Sequence, residues 1–136
     1  MEQLKEILRK RALKATSTRL DVLATISNYN SAIPYSEIQK SLKDFDRVTL
    51  YRTINILVDK GIIHKATTIG EESYFAMCGT TCNSEDHQHD HIHFTCNRCA
   101  KVSCLHLSDK IMVSVKGHQI DKLNIEANGI CETCNA

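Results

Sequence analysis

The side chains in this chain most able to do chemistry are seven cysteines and seven histidines in 136 residues, and most of them are crowded into its second half. Cys96-Asn-Arg-Cys99 and Cys131-Glu-Thr-Cys134 are two Cys-x-x-Cys knuckles. Two cysteines separated by two residues span one face of a tetrahedral ion. Two knuckles meeting in space therefore make a closed four-cysteine zinc site that contributes folding free energy. The interval between the knuckles leaves room for a helix and a strand, so the site is expected to staple a small domain rather than a loop. A run holding His87, His89, His91 and His93 leads directly into the first knuckle.

The competing reading of the knuckles is a pair of structural disulfides, which needs an oxidising compartment and an export signal. The opening Met1-Glu2-Gln3-Leu4-Lys5-Glu6 is charged and amphipathic, and no apolar run is long enough to span a membrane. A cytoplasmic location is expected, where paired thiols more often hold metal than each other. Catalysis is not expected. Four thiolates leave a zinc ion no open position, His-Glu-x-x-His and His-x-Glu motifs are absent, and neither knuckle opens a thioredoxin-like unit.

These residues need a scaffold, and composition divides it. Residues 1–66 carry 12 Lys and Arg against 7 Asp and Glu, a net +5, whereas residues 67–136 carry 5 against 9, a net −4. All seven cysteines and six of the seven histidines lie beyond Thr67. A basic front half and an acidic, ligand-rich back half suggest a polyanion-binding module joined to a metal-binding one.

The front half reads as helices. Leu4, Ile7, Leu8 and Ala12 give an apolar stripe at helical spacing. Thr18-Arg-Leu-Asp21 has the form of a capping box opening a second helix that turns Leu20, Leu23, Ala24 and Ile26 inward. Asn28 to Pro34 reads as a turn, and Pro34 suits the start of a short third helix. Asp46 can cap a fourth helix, Arg47 to Lys60, closed by Gly61. Its Leu50, Ile54 and Leu57 fall on an inward stripe, whereas Tyr51, Arg52 and Asn55 form an outward face of the side chains that read base edges and phosphates. Ile62 to Thr68 and Ser73 to Met77, joined by an Ile-Gly-Glu-Glu turn, read as a hairpin. Helices followed by a hairpin are the order of a winged helix-turn-helix, which places its recognition helix in the major groove. In the back half, His91 to Cys96 alternates as a strand, Leu107 to Val115 reads as a short helix, and Gln119 to Ala127 as a further strand.

Thr16-x-x-Arg19, Val48 to Leu57, Gly61-Ile-Ile, His91-x-His-x-x-Cys-x-x-Cys99 and Gly129-Ile-Cys-x-x-Cys134, in this order, closely resemble the ferric uptake regulator superfamily. The resemblance runs from about Leu4 to Cys134. It implies an α+β fold: an N-terminal winged helix-turn-helix domain plus a small C-terminal α/β dimerisation domain with a four-cysteine zinc site. The expected boundaries are 1–77 for the DNA-binding domain, 78–88 for the hinge and 89–136 for the dimerisation domain. The resemblance also implies a homodimeric, metal-dependent repressor that binds a palindromic operator in double-stranded DNA. No membrane or small-molecule substrate is expected. By matching position, Tyr51 and Arg52 would contact bases or phosphates, with Asn55 on the same face, and Lys14 and Arg19 would hold the backbone or minor groove.

The sensed metal depends on a second site near the hinge. Where iron and peroxide sensors generally take a hinge histidine or cysteine, Tyr29 to Tyr35 has neither, and Ala76 and Cys104 stand where carboxylates are usual. The chain offers His64, Cys78, His89, His91, His93 and Cys104 instead. Imidazole and thiolate donors are borderline-soft and suit tetrahedral Zn(II), whereas Fe(II) and Mn(II) sites favour more oxygen. The set is most similar to the zinc-sensing branch, with Cys104 where a Glu is common there. Cys82 is the alternative to Cys78, and His106 and His118 are read as outside the site. One structural Zn(II) per chain plus a regulatory ion is therefore expected, with Zn(II) favoured. An iron, manganese or peroxide sensor drawing on Glu72, Asp86 or Asp90 is the alternative within the family, and a zinc-stapled interaction or metal-buffering module the alternative outside it.

Overall fold

The computed structural model describes residues 1–77, 91–106, 112–120, 123 and 125–136. Its elements run α1 (Glu2–Lys10), α2 (Ser17–Asn28), β1 (Ile33–Pro34), α3 (Tyr35–Ser41), α4 (Arg47–Asp59), β2 (Ile63–Ile69), β3 (Glu72–Met77), β4 (His91–Cys96), β5 (Val102–His106), β6 (Glu126–Gly129) and α5 (Glu132–Asn135). Four helices and a wing hairpin are followed by a second, mixed sheet, so the α+β expectation holds.

Helical spacing places the N-terminal core. Leu8, Val22, Leu23, Ile38, Leu50, Ile54 and Leu57 are buried where α1, α2, α3 and α4 meet, and Ile63 and Phe75 bring the wing onto the same cluster. Asp46 caps α4 by accepting from the Thr49 N–H at 3.1 Å, and Gly61, at φ 72°, supplies the left-handed turn that releases the chain into β2. The cap of α2 lies two residues before the expected one: Thr16 is extended and its hydroxyl accepts from the Arg19 N–H at 3.3 Å. Val22, Leu23 and Ile26 of this helix are buried in the core.

Ile33–Pro34, expected within a turn, instead pairs with β3, giving the antiparallel order β1-β3-β2. Proline is tolerated there because β1 is an edge strand. Pro34 provides no side-chain cap for α3, and the wing does so instead: Glu72 Oε1 accepts the Ser36 N–H at 2.8 Å. That hydrogen bond, given by both the hydroxyl and the backbone of Ser36, lowers the Glu72 pKa.

The second sheet has the order β5-β4-β6, with β4 antiparallel to β5 and parallel to β6. The first knuckle makes the β4–β5 turn, with Ala100 left-handed at φ 63°. Two expectations change here. Met112–Val115 is not helical and Met112 is 87 % exposed, because an amphipathic pattern gains its helix from burial and a single chain offers these residues no surface to cover. Residues 107–111 lie outside the described residues. The last strand is also later than Gln119–Ala127. Pairing begins where the His93 N–H donates to Ile125 O at 3.0 Å and runs to Cys96↔Gly129. β4 fixes that register, and it carries the second knuckle to the first.

Candidate metal centres

The four knuckle sulfurs lie within 4.8 Å of one another. Cys99 Sγ and Cys131 Sγ are 3.8 Å apart. A zinc–sulfur bond of about 2.3 Å implies a tetrahedral sulfur–sulfur edge of about 3.8 Å, so the spacing suits that ion. Asn97 N–H donates to Gly129 O at 2.7 Å, and Arg98 Nη1 to Cys134 O at 3.3 Å, which lock the knuckles together. Cys96 is buried and its sulfur accepts from the backbone N–H groups of Cys99 at 3.5 Å and Cys131 at 3.4 Å. Chiefly those donors lower its pKa to about 6. Cys134 is raised to about 12 by its hydrogen bond to Cys131, then by burial and by the other two thiols. Four thiols in this space resist sharing negative charge, and a divalent cation is what relieves that conflict.

A second cluster joins the wing to the C-terminal sheet. His64 on β2, His93 on β4 and Cys104 on β5 bring their donor atoms within 4.8 Å of one another. His64 Nε2 is 3.0 Å from Cys104 Sγ, and the His64 and His93 ring centres are 5.1 Å apart. His93 and Cys104 stand directly opposite in the β4–β5 ladder, so strand pairing alone sets their proximity. Burial lowers the His93 pKa, opposed by the charge of Glu126, which favours the neutral imidazole that a metal requires. Small side chains let the strands approach: Ala32, Ala66 and Val102 are buried together, with Tyr74, Ala76 and Cys104 packed around them. Ala32 N–H also donates to Val102 O at 2.6 Å.

Of the other sequence-nominated donors, Cys78, Cys82, His89, Asp86 and Asp90 and the side chain of His91 lie outside the described residues. His118 faces its own turn, with Nδ1 2.9 Å from Lys116 O, and belongs to neither cluster. Glu72 is engaged at the start of α3. On α4, Tyr51, Arg52 and Asn55 are exposed, Tyr51 by 59 %, beside the 53 % exposed Val48. Lys14 is exposed, and Arg19 Nη1 donates to its carbonyl at 3.0 Å, bracing the α1–α2 connection. Sequence reasoning missed Thr67 and Glu126, which bond to each other between the wing and the second sheet. No spacing rule relates residues so far apart in the chain.

The sequence model of the ferric uptake regulator family matches residues 10–130. The chain belongs to the ferric uptake regulator family. As a member, it is a metal-responsive transcription regulator. It is 29% identical over 137 residues to the ferric uptake regulation protein of Staphylococcus aureus (strain Mu50), covering 95% of this chain and 93% of that one. The protein of the same name from Staphylococcus epidermidis (strain ATCC 12228) is 27% identical over 135 residues, covering 95% and 91%. In fold, this family member is similar to holo XcZur, with TM-score 0.73 and 22% identity over 98% of this chain and 95% of that one. It is likewise similar to a zinc uptake regulator complexed with zinc and DNA, at TM-score 0.69 and 22% identity over 98% and 91%.

Proposed function

We propose that this family member is a zinc-responsive, dimeric repressor of metal-uptake genes that binds a palindromic operator. The observation that carries the reading is the His64, His93 and Cys104 cluster, whose donors are nitrogen and sulfur and whose members come from both the wing and the second sheet. Such donors favour Zn(II) over the oxygen-rich shells of Fe(II) and Mn(II). The similarity in fold to holo XcZur and to the zinc uptake regulator complexed with zinc and DNA supports it.

Residues 1–77 serve as the DNA-binding unit, 78–88 as the hinge and 89–136 as the dimerisation unit. Cys96, Cys99, Cys131 and Cys134 hold a structural zinc. His64, His93 and Cys104, with Cys78, His89 and His91 as the remaining candidates, hold the regulatory one. Zinc bound at the second cluster supplies bonds that tie the wing to the sheet and favour one orientation of the two units. Tyr51, Arg52 and Asn55 enter the major groove from α4, and Lys14 and Arg19 steady the unit on the phosphates. Exposed Met112, Val113, Val115 and Ile120 offer a partner subunit apolar surface, and two-fold symmetry would set the recognition helices about one helical turn of DNA apart.

The test is a titration of protein carrying only its tight zinc with Zn(II), Fe(II) or Mn(II) in anaerobic buffer. Operator binding is followed on a duplex selected by the zinc-loaded protein from random-sequence DNA. A second zinc per chain that switches on binding sustains the reading. Activation by Fe(II) or Mn(II) alone overturns the zinc assignment, and metal-independent or absent DNA binding overturns the regulator.

A further inference from the structure

Two consecutive residues of β2 reach the C-terminal sheet. Ala66 packs with Val102, and Thr67 Oγ1 donates to Glu126 Oε1 on β6 at 3.1 Å. A regular strand turns successive side chains to opposite faces. Here the pairing with β3 steps from Lys65↔Phe75 to Thr67↔Tyr74, so Ala66 is the extra residue of a β-bulge. A bulge re-aims the side chains beside it, and this one lets both neighbours face the second sheet. Glu126, in turn, pairs with His93 in the parallel β4–β6 ladder. The wing is thus joined to the sheet beside the His64, His93 and Cys104 cluster by two residues that are not members of it.

We propose that Thr67 and Glu126 form a metal-independent latch holding the wing against the second sheet in the orientation in which His64, His93 and Cys104 converge, and are positioning residues for the metal response. The inference rests on the function proposed above. A latch closed before metal arrives sets the fraction of molecules competent to bind it. The apparent dissociation constant for the regulatory metal equals the intrinsic one divided by that fraction. Losing one solvent-exposed hydrogen bond lowers the closed-to-open ratio by about three- to tenfold, and the fraction falls by the same factor where the open form predominates before metal binds. Saturating metal closes the molecule regardless, so DNA affinity in that limit is unchanged. A residue needed only for folding, or one touching DNA, would not behave this way.

The test uses full-length Thr67→Val, Thr67→Ser, Glu126→Gln and the Thr67→Val/Glu126→Gln double variant, each carrying its structural zinc. Zn(II) affinity is read by competition with a chromogenic chelator, and DNA binding by anisotropy on the duplex selected by the wild-type protein. Thr67→Val is expected to raise the free Zn(II) at half-occupancy about three- to tenfold. Thr67→Ser should return it to within about twofold of wild type, and the double variant should be no worse than Thr67→Val alone, as expected for two partners in one bond. The latch is overturned by a Thr67→Val midpoint within about twofold of wild type or by loss of DNA affinity at saturating zinc. It is equally overturned if the two single effects add in full, which would have Glu126 acting on His93 directly. If wild type shows no zinc-dependent DNA binding, the proposed function fails, and the chelator competition still decides the latch.

Discussion

Removing the metal from the four-cysteine cluster should unfold the C-terminal sheet while the helical half stays folded. Among the described residues, thirteen buried side chains form the N-terminal core, whereas beyond residue 90 only Cys96 and Val102 are buried hydrophobics. A fully buried aliphatic side chain contributes about 1.5–3 kcal/mol, so Val102 supplies about 2 kcal/mol. A structural zinc in a thiolate site is worth about 10–16 kcal/mol, several times that amount. Protein stripped with a strong chelator and verified metal-free by elemental analysis should therefore lose hydrogen-exchange protection across residues 91–106 and 125–136. Protection within 47–59 should persist, because Leu50, Ile54 and Leu57 bury nothing against the knuckles. Full protection of 91–106 in metal-free protein would refute the reasoning, since strand pairing alone would then hold the sheet.

Cys104→Ser should weaken second-site zinc by more than the roughly ten- to hundredfold that loss of an outer-shell partner costs and abolish metal-dependent DNA binding while one zinc per chain remains; elemental analysis showing loss of that zinc would mean that the cysteines are wrongly divided between the clusters. Ile54→Ala, at a position 1 % exposed in the N-terminal core, should cost about 2–5 kcal/mol, read as a lower urea midpoint at unchanged slope. Glu72 has a folded pKa held below its usual 4.5 by its hydrogen bonds from Ser36. Its contribution is therefore complete above that value and lost as pH falls through the folded pKa. Glu72→Gln should lower stability at neutral pH and converge on wild type below pH about 4.5, flattening the acid limb, and an unaltered acid limb in thermal melts would show that this cap contributes nothing.

The front half was legible in the sequence because local rules and packing agree there. Asp46, the inward Leu50, Ile54 and Leu57, and Gly61 mark α4 at both ends and along one face, and α4 is where those residues predict it. The start of α2 was misplaced, since Thr18 has the form of a cap but the hydroxyl that accepts the Arg19 N–H is that of Thr16. Beyond residue 106 the pattern promised a helix that Met112–Val115 do not form. Apolar spacing records which face would be buried but not what covers it.

The sequence by itself determined the family and the mixed helix-and-sheet fold class, because knuckle spacing, helix caps and hydrophobic periodicity are properties of neighbouring residues. Tertiary structure alone decided which distant donors meet. The β4–β5 ladder sets His93 against Cys104, wing docking adds His64, and the bulge at Ala66 turns Thr67 to Glu126. Those encounters depend on strand register and on how closely small side chains such as Ala32, Ala66 and Val102 let two sheets approach. Both are global packing outcomes to which no local window of residues is sensitive.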